Sequence, residues 1–276
     1  MSTKKSRRRD IENSDNNPDA IPEVVIVKRA EPPKTRETIN KERRENAIAM
    51  RNADMADPRF KIVYDAIKSM VVGQQFNVRQ FTVMVPLAMQ TLSDVATMDG
   101  LQKKDLIVKV FKYLIEELTF ETPEQQDLAR HFVDNDLETL IDTAYQASKG
   151  KFAFADTSTE TYDMAKFNLV YDNIKNMIVD KQINIQVILI LLPTIMIQVG
   201  RFVNLTGLQK KDMVIQIITK LLDEFKPDDD TYDLILVFIK VQLPYVIEII
   251  YKSSIGSYIF KKIQSGWTSC WTCYKK

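Results

Sequence analysis

The sequence predicts an all-α protein, a tandem duplication of a four-helix module behind a disordered N-terminal arm. Three observations predict it. First, Phe60-Lys61-Ile62-Val63-Tyr64-Asp65-Ala66-Ile67-Lys68-Ser69-Met70 returns 107 positions later as Phe167 to Met177, and Phe60 to Leu118 shares 20 of 59 residues with its counterpart. Second, apolar residues recur at three-and-four spacing, as in Phe60, Val63, Tyr64, Ile67 and Val71, which is one face of a helix. Third, the 276 residues hold only 7 Gly and 2 Trp, which argues against glycine-rich phosphate loops and propeller blades.

Residues 1–52 read as a basic arm, with 13 Lys or Arg against 9 Asp or Glu. Pro18, Pro22, Pro32 and Pro33 interrupt it, and its polar stretch cannot bury enough area to offset ordering entropy. Val24 to Val27 is the apolar exception, suited to an edge strand or to docking on a partner. Lys34 to Arg51 is charged and helix-prone. The cluster Lys4, Lys5, Arg7, Arg8 and Arg9 has the composition of a phosphate contact or import patch, and also of a solvated charged terminus, which is the commoner case.

Copy one spans 53–150. Asp57 caps its first helix, Pro58 takes the first helical position, and Gly73 ends it. The second helix runs from about Asn77 to Ala96, with a bend expected at Pro86. The third runs from Gly100 to Leu118. Thr122, Pro123 and Gln125 start a fourth that ends before Gly150.

Residues 151–161, rich in Thr and Ser, read as a linker. Copy two, 162–252, repeats the plan with helices near 162–180, 185–203, 207–225 and 231–252, the last capped by Asp230. Val187 to Leu192 is β-rich in isolation, but the matching run of copy one is helical in composition and decides the case. Residues 253–276 form a tail with a short amphipathic helix expected over Ile255 to Ile263.

A net charge of +1 excludes a strongly basic nucleic-acid coat as the overall design. The single histidine, His131, excludes a multi-histidine metal site and reads as a core or boundary residue aligned with Phe238. No cofactor is expected. The two cysteines, Cys270 and Cys273, cannot close a tetrahedral zinc site alone. With Trp267 and Trp271 they make a tail suited to an exposed end, to a lipid interface or to a disulfide. The most apolar run, Val187 to Val199, contains Pro193 and is too short for an ordinary membrane span. No N-terminal signal is evident, so a cytoplasmic protein is expected.

Gly100-Leu101-Gln102-Lys103-Lys104-Asp105 returns intact at Gly207 to Asp212, the one six-residue identity in the repeat. Two readings fit: anion-binding helix starts carrying Lys103, Lys104, Lys210 and Lys211, or tight helix starts with solvated lysines. Asp65 and Asp172 follow Tyr64 and Tyr171. They have the form of paired carboxylates, and also of surface residues pairing with Lys68 and Lys175. Asp228 to Asp230 lacks a calcium-loop pattern. Copy two carries more apolar residues than a module of its size needs, Leu189, Leu192, Ile195, Val246 and Ile250 among them. That surplus fits packing between the copies or binding of a partner.

The paired modules, the Gly-Leu-Gln-Lys-Lys-Asp pattern and the Asn-, Ile- and Lys-rich usage over about 60–250 resemble uncharacterised helical-repeat proteins of large DNA viruses. The resemblance implies a virion or assembly component and brings no catalytic residues. The function expected is a non-enzymatic scaffold that binds other proteins, or itself, through helix faces. The alternative is a nucleic-acid-associated adaptor using residues 4–9.

Overall fold

A computed structural model describes residues 35–71, 76–93, 98–152, 154, 160–178 and 182–258. The basic cluster at 4–9, Val24 to Val27, Gly73 and the Cys/Trp tail lie outside them. Among the described residues the chain is all-α. In order, the helices are α1 (Arg36–Asp54), α2 (Pro58–Ser69), α3 (Val78–Ser93), α4 (Gly100–Glu117), α5 (Pro123–Asn135), α6 (Leu137–Ser148), α7 (Met164–Lys175), α8 (Ile185–Gly200), α9 (Gly207–Glu224), α10 (Asp229–Val241) and α11 (Leu243–Ser254). β-Structure among these residues is limited to two isolated bridges, Phe76 with Phe120 and Glu160 with Phe202.

Local chemistry explains the helix starts. Asp57 Oδ1 accepts from the Arg59 N–H at 2.9 Å, and Pro58 follows it. Asp99 and Thr206 each form a capping box with the glutamine three residues on, Gln102 and Gln209. Thr122 caps α5, and Asp228 rather than Asp230 caps α10, accepting from the Thr231 N–H at 3.0 Å. Asp229 and Asp230 instead fill the first turn, where the helix dipole favours negative charge. Pro86 and Pro193 sit inside α3 and α8, and both helices continue through them.

Helices α2 to α6 match α7 to α11 in order and length, so each copy has five helices where the sequence predicts four. The expected fourth helix breaks at Asp136 in copy one and at Gln242 in copy two, each serving as the end of one helix and the start of the next. The α10–α11 break bends the chain by 54°. The turn before α5 spans 118–122 and the turn before α10 spans 225–228, so the spacing falls from 107 to 106 there. His131 therefore aligns with Val237, not Phe238. Gly150 and Gly256 follow α6 and α11 at φ +70° and +76°, a conformation that L side chains resist.

Copy one packs α2 on α3 and α4, and α3 and α4 on α5; copy two packs α7 on α8, and α9 on α8, α10 and α11. Between the copies, α6 lies on α11, α6 on α8, and α11 on α3. Exchanging α3 with α8 and α6 with α11 reproduces this pattern, which is that of an isologous interface within one chain. Helices α8 and α11, which hold much of the apolar surplus of copy two, are thus the ones copy one meets. Leu189, Leu192, Ile195, Val246 and Ile250 are all fully buried. Truncating one such side chain to alanine typically costs about 2–5 kcal/mol. The linker is pinned at both ends: Lys151 N–H donates to the Gln146 carbonyl at 3.2 Å, and Val203 N–H donates to the Glu160 carbonyl at 3.0 Å.

Candidate interaction sites

The repeated hexapeptide ties three helices together. Its glycine starts the helix and its glutamine completes the capping box. Lys103 Nζ then reaches the Ser93 carbonyl at the end of α3 (3.4 Å), and Lys210 Nζ reaches the Gly200 carbonyl at the end of α8 (2.8 Å). A helix C-terminus leaves carbonyls without partners and carries partial negative charge, so a lysine is well placed there. Lys104 Nζ lies 3.2 Å from Asp142 and 3.6 Å from Glu138 on α6, while Lys211 Nζ lies 3.2 Å from Glu248 on α11. Lys103 and Lys104 are buried, and Lys210 and Lys211 half-buried. These four lysines are fasteners within the fold and do not form an open basic stripe. Burial pushes the Asp142 carboxyl up, and Lys104 only partly counters it.

A second repeated polar group joins the first and third helices of each copy. Tyr64 donates its hydroxyl proton to Glu117, and Lys68 Nζ donates to Glu117 at 2.9 Å and to the Tyr64 oxygen at 3.1 Å. Tyr171, Lys175 and Glu224 repeat the group. In copy one Arg51 of α1 joins it by donating to Glu117 and, at 3.3 Å, to Tyr64. Burial pushes the Glu117 carboxyl up, but Tyr64, Lys68 and Arg51 outweigh it and hold the group below its ordinary value. In copy two Lys220 supplies the extra cation, 3.9 Å from the centre of the Tyr171 ring. The sequence reading missed Glu117 and Glu224 as members of this group, although both are identities of the repeat. Lys68 thus bonds Glu117 and Tyr64, and Asp65 pairs with Lys61 at 3.2 Å.

Helix α1 lies on α4 without burying any residue of its own. Arg36 pairs with Asp127 and lies 4.0 Å from Glu124, Arg51 pairs with Glu117, and Asp54 accepts from Lys109 at 2.6 Å and from Tyr113. Among the described residues, no helix covers α9 in the corresponding way. His131 is exposed rather than in the core, with Nδ1 3.3 Å from the Asn135 amide.

Apolar exposure is itself repeated. Ile62 and Leu169, Met70 and Met177, Val83 and Ile190, and Leu101 and Leu208 are equivalent pairs, and all eight residues are 41–64% exposed. Beside Leu208, a cleft of about 510 Å³ opens in copy two between α8, α9 and α11. Met196, Val214, Ile247 and Tyr251 line it, and Lys210 and Lys211 border it with their charges already partnered.

Among the described residues, no group of His, Cys, Asp and Glu could hold a metal ion. No single described helix is long and apolar enough to cross a membrane, although the bent pair α10–α11 reaches that length and apolarity taken together. Ile235, Phe238, Val246 and Ile250 of that pair are buried in the core. Compared with known proteins, the chain matches no family model, no curated protein and no solved structure.

Proposed function

We propose that the chain is a non-enzymatic scaffold, a duplicated helical module that binds proteins, including further copies of itself, through its helix faces. The observation that carries this reading is the repeated apolar exposure. Two copies that share 20 of 59 residues keep Ile62 and Leu169, Met70 and Met177, Val83 and Ile190, and Leu101 and Leu208 apolar at exposed positions. Burial does not require it. Scattered exposed apolar residues are ordinary, but the same four positions in both copies mark surface that another molecule covers. The resemblance to proteins of large DNA viruses supports a place in virus assembly in the cytoplasm. The tail residues Trp267, Cys270, Trp271 and Cys273 are the proposed membrane contact. The nucleic-acid alternative rests on Arg7, Arg8, Arg9 and their neighbours, since the motif lysines are held within the fold.

The test is the mass of full-length protein by light scattering, with and without duplex DNA. A stable oligomer that ignores DNA is expected, with a monomer for the variant Leu101→Glu, Leu208→Glu at unchanged helical circular dichroism. A monomeric wild type that binds DNA, and loses it steeply as salt rises, overturns the scaffold in favour of the adaptor.

A further inference from the structure

We infer that the α9–α10 face of copy two docks an arginine-bearing helix of a partner protein, in the manner in which copy one holds its own α1. The inference rests on the protein-binding reading above and names the chemistry of one partner.

Copy one is the template. Its α1 is held chiefly by charge: no residue is fully buried, and Ala47 packs partly buried against the core. Arg36 meets Asp127 and Glu124, Arg51 meets Glu117, and Asp54 meets Lys109 and Tyr113. The equivalents in copy two are Asp233 and Asp230, Glu224, Gln216 at the Lys109 position and Lys220 at the Tyr113 position. All five are exposed. The acceptors for two arginines are thus present where no described helix lies, with Gln216 and Lys220 as the donors nearest the place of the aspartate.

Two details sharpen the match. Glu224 holds Lys175 and Tyr171 as Glu117 holds Lys68 and Tyr64; Lys220 lies over the Tyr171 ring and makes no ion pair with Glu224 within 4 Å, so an arginine can still reach that carboxylate as Arg51 reaches Glu117. In copy one Arg130 partly neutralises Glu116 and Asp127; its equivalent in copy two is Leu236. Among the described residues, Asp223 there accepts the Tyr232 hydroxyl proton, at 2.8 Å, and has no arginine partner. By count, Lys220, Lys226 and Lys240 stand in for Lys109, Lys112 and Arg130, so 213–241 carries the same three cations against six carboxylates as 106–135 and attracts a basic helix by the same means. At 1.5 Å per residue, Arg36 and Arg51 stand about 22 Å apart. The partner helix carries two arginines at that separation and an acidic residue one turn after the second.

The probe is a labelled peptide of residues 35–55, titrated into full-length protein by fluorescence anisotropy at several salt concentrations. The tethered α1 keeps its own dock filled through high effective concentration, so the peptide reports the second site. Saturable binding that weakens with salt is expected. It should fall at least tenfold in the variant Glu224→Gln, Asp230→Asn, Asp233→Asn and hold in Glu124→Gln, Asp127→Asn. Circular dichroism checks that both variants are folded. No saturable binding overturns the inference, as does loss only in the copy-one variant, which would mean exchange with α1. A fall in mass of the copy-two variant would overturn the partner assignment by making the occupant a second copy of this chain. A stable oligomer that ignores the peptide defeats the docking inference alone. A DNA-binding monomer defeats the reading beneath it.

Discussion

Lys104 Nζ of α4 lies 3.2 Å from Asp142 Oδ2 of α6, and Lys211 repeats the contact on Glu248 of α11 at the same distance. The two pairs differ in burial: the Lys104 side chain is 9% exposed and the Lys211 side chain 24%. Lys104 is the buried member and Asp142 is 34% exposed, so removing the lysine leaves a half-buried carboxylate that burial already disfavours. Lys104→Met is therefore expected to cost about 1–2 kcal/mol in urea unfolding, and Lys211→Met less than about 1 kcal/mol. Equal costs would show that burial does not set the value of these contacts.

Asp136 makes the fold sensitive to pH. It is buried at the α5–α6 break, its Oδ2 has no partner among the described residues, and burial raises its pKa to about 7. Its equivalent, Gln242, is buried but neutral, with Oε1 3.5 Å from Thr82 Oγ1. The residue equivalent to Thr82 is Leu189, which offers no hydrogen bond. An acid whose folded pKa is raised binds its proton more tightly when folded. Its penalty is thus absent below the unfolded value near 4, grows as pH rises, and is complete above about 7, reaching at most about 4 kcal/mol. Asp136→Gln should raise the Tm strongly at pH 8 and little at pH 4.5. A pH-independent gain would show that the carboxyl is already ionised at no cost.

The attachment of α1 is electrostatic and should be labile. Raising salt to 1 M shortens the screening length to about 3 Å, which weakens the exposed Arg36–Asp127 pair first. Hydrogen exchange over 36–54 should quicken with salt and in Arg51→Ala, while α4 keeps its protection. Protection of α1 as deep as that of α4 would contradict attachment by charge.

Gly150 and Gly256 lie in the left-handed region with nothing within 4 Å of an added Cβ, so strain alone decides their substitution. Gly150→Ala and Gly256→Ala should each cost about 1 kcal/mol. Gly207 has equally open space and no such backbone strain, so Gly207→Ala should be neutral or stabilise by up to about 1 kcal/mol. Thermal unfolding of the three variants checks the contrast.

The sequence by itself determined the helical class, the repeat and most helix starts. These follow from short-range rules: three-and-four apolar spacing, caps beside the helices they start, and identities such as Phe60 with Phe167. The duplication also settled α8, whose composition alone reads as strand. Only the tertiary structure decided the rest, because it depends on residues far apart in the chain. Lys68 bonds Glu117, 49 positions away, and not Asp65 three positions back. The hexapeptide lysines are drawn in by helix ends and carboxylates that local spacing does not reveal. The breaks at Asp136 and Gln242 interrupt apolar patterns that read as continuous, because α6 and α11 must turn to pack on each other. The one-residue loss before α10, which moved the cap to Asp228, lies where sequence identity has faded and only the helix bounds restore the register.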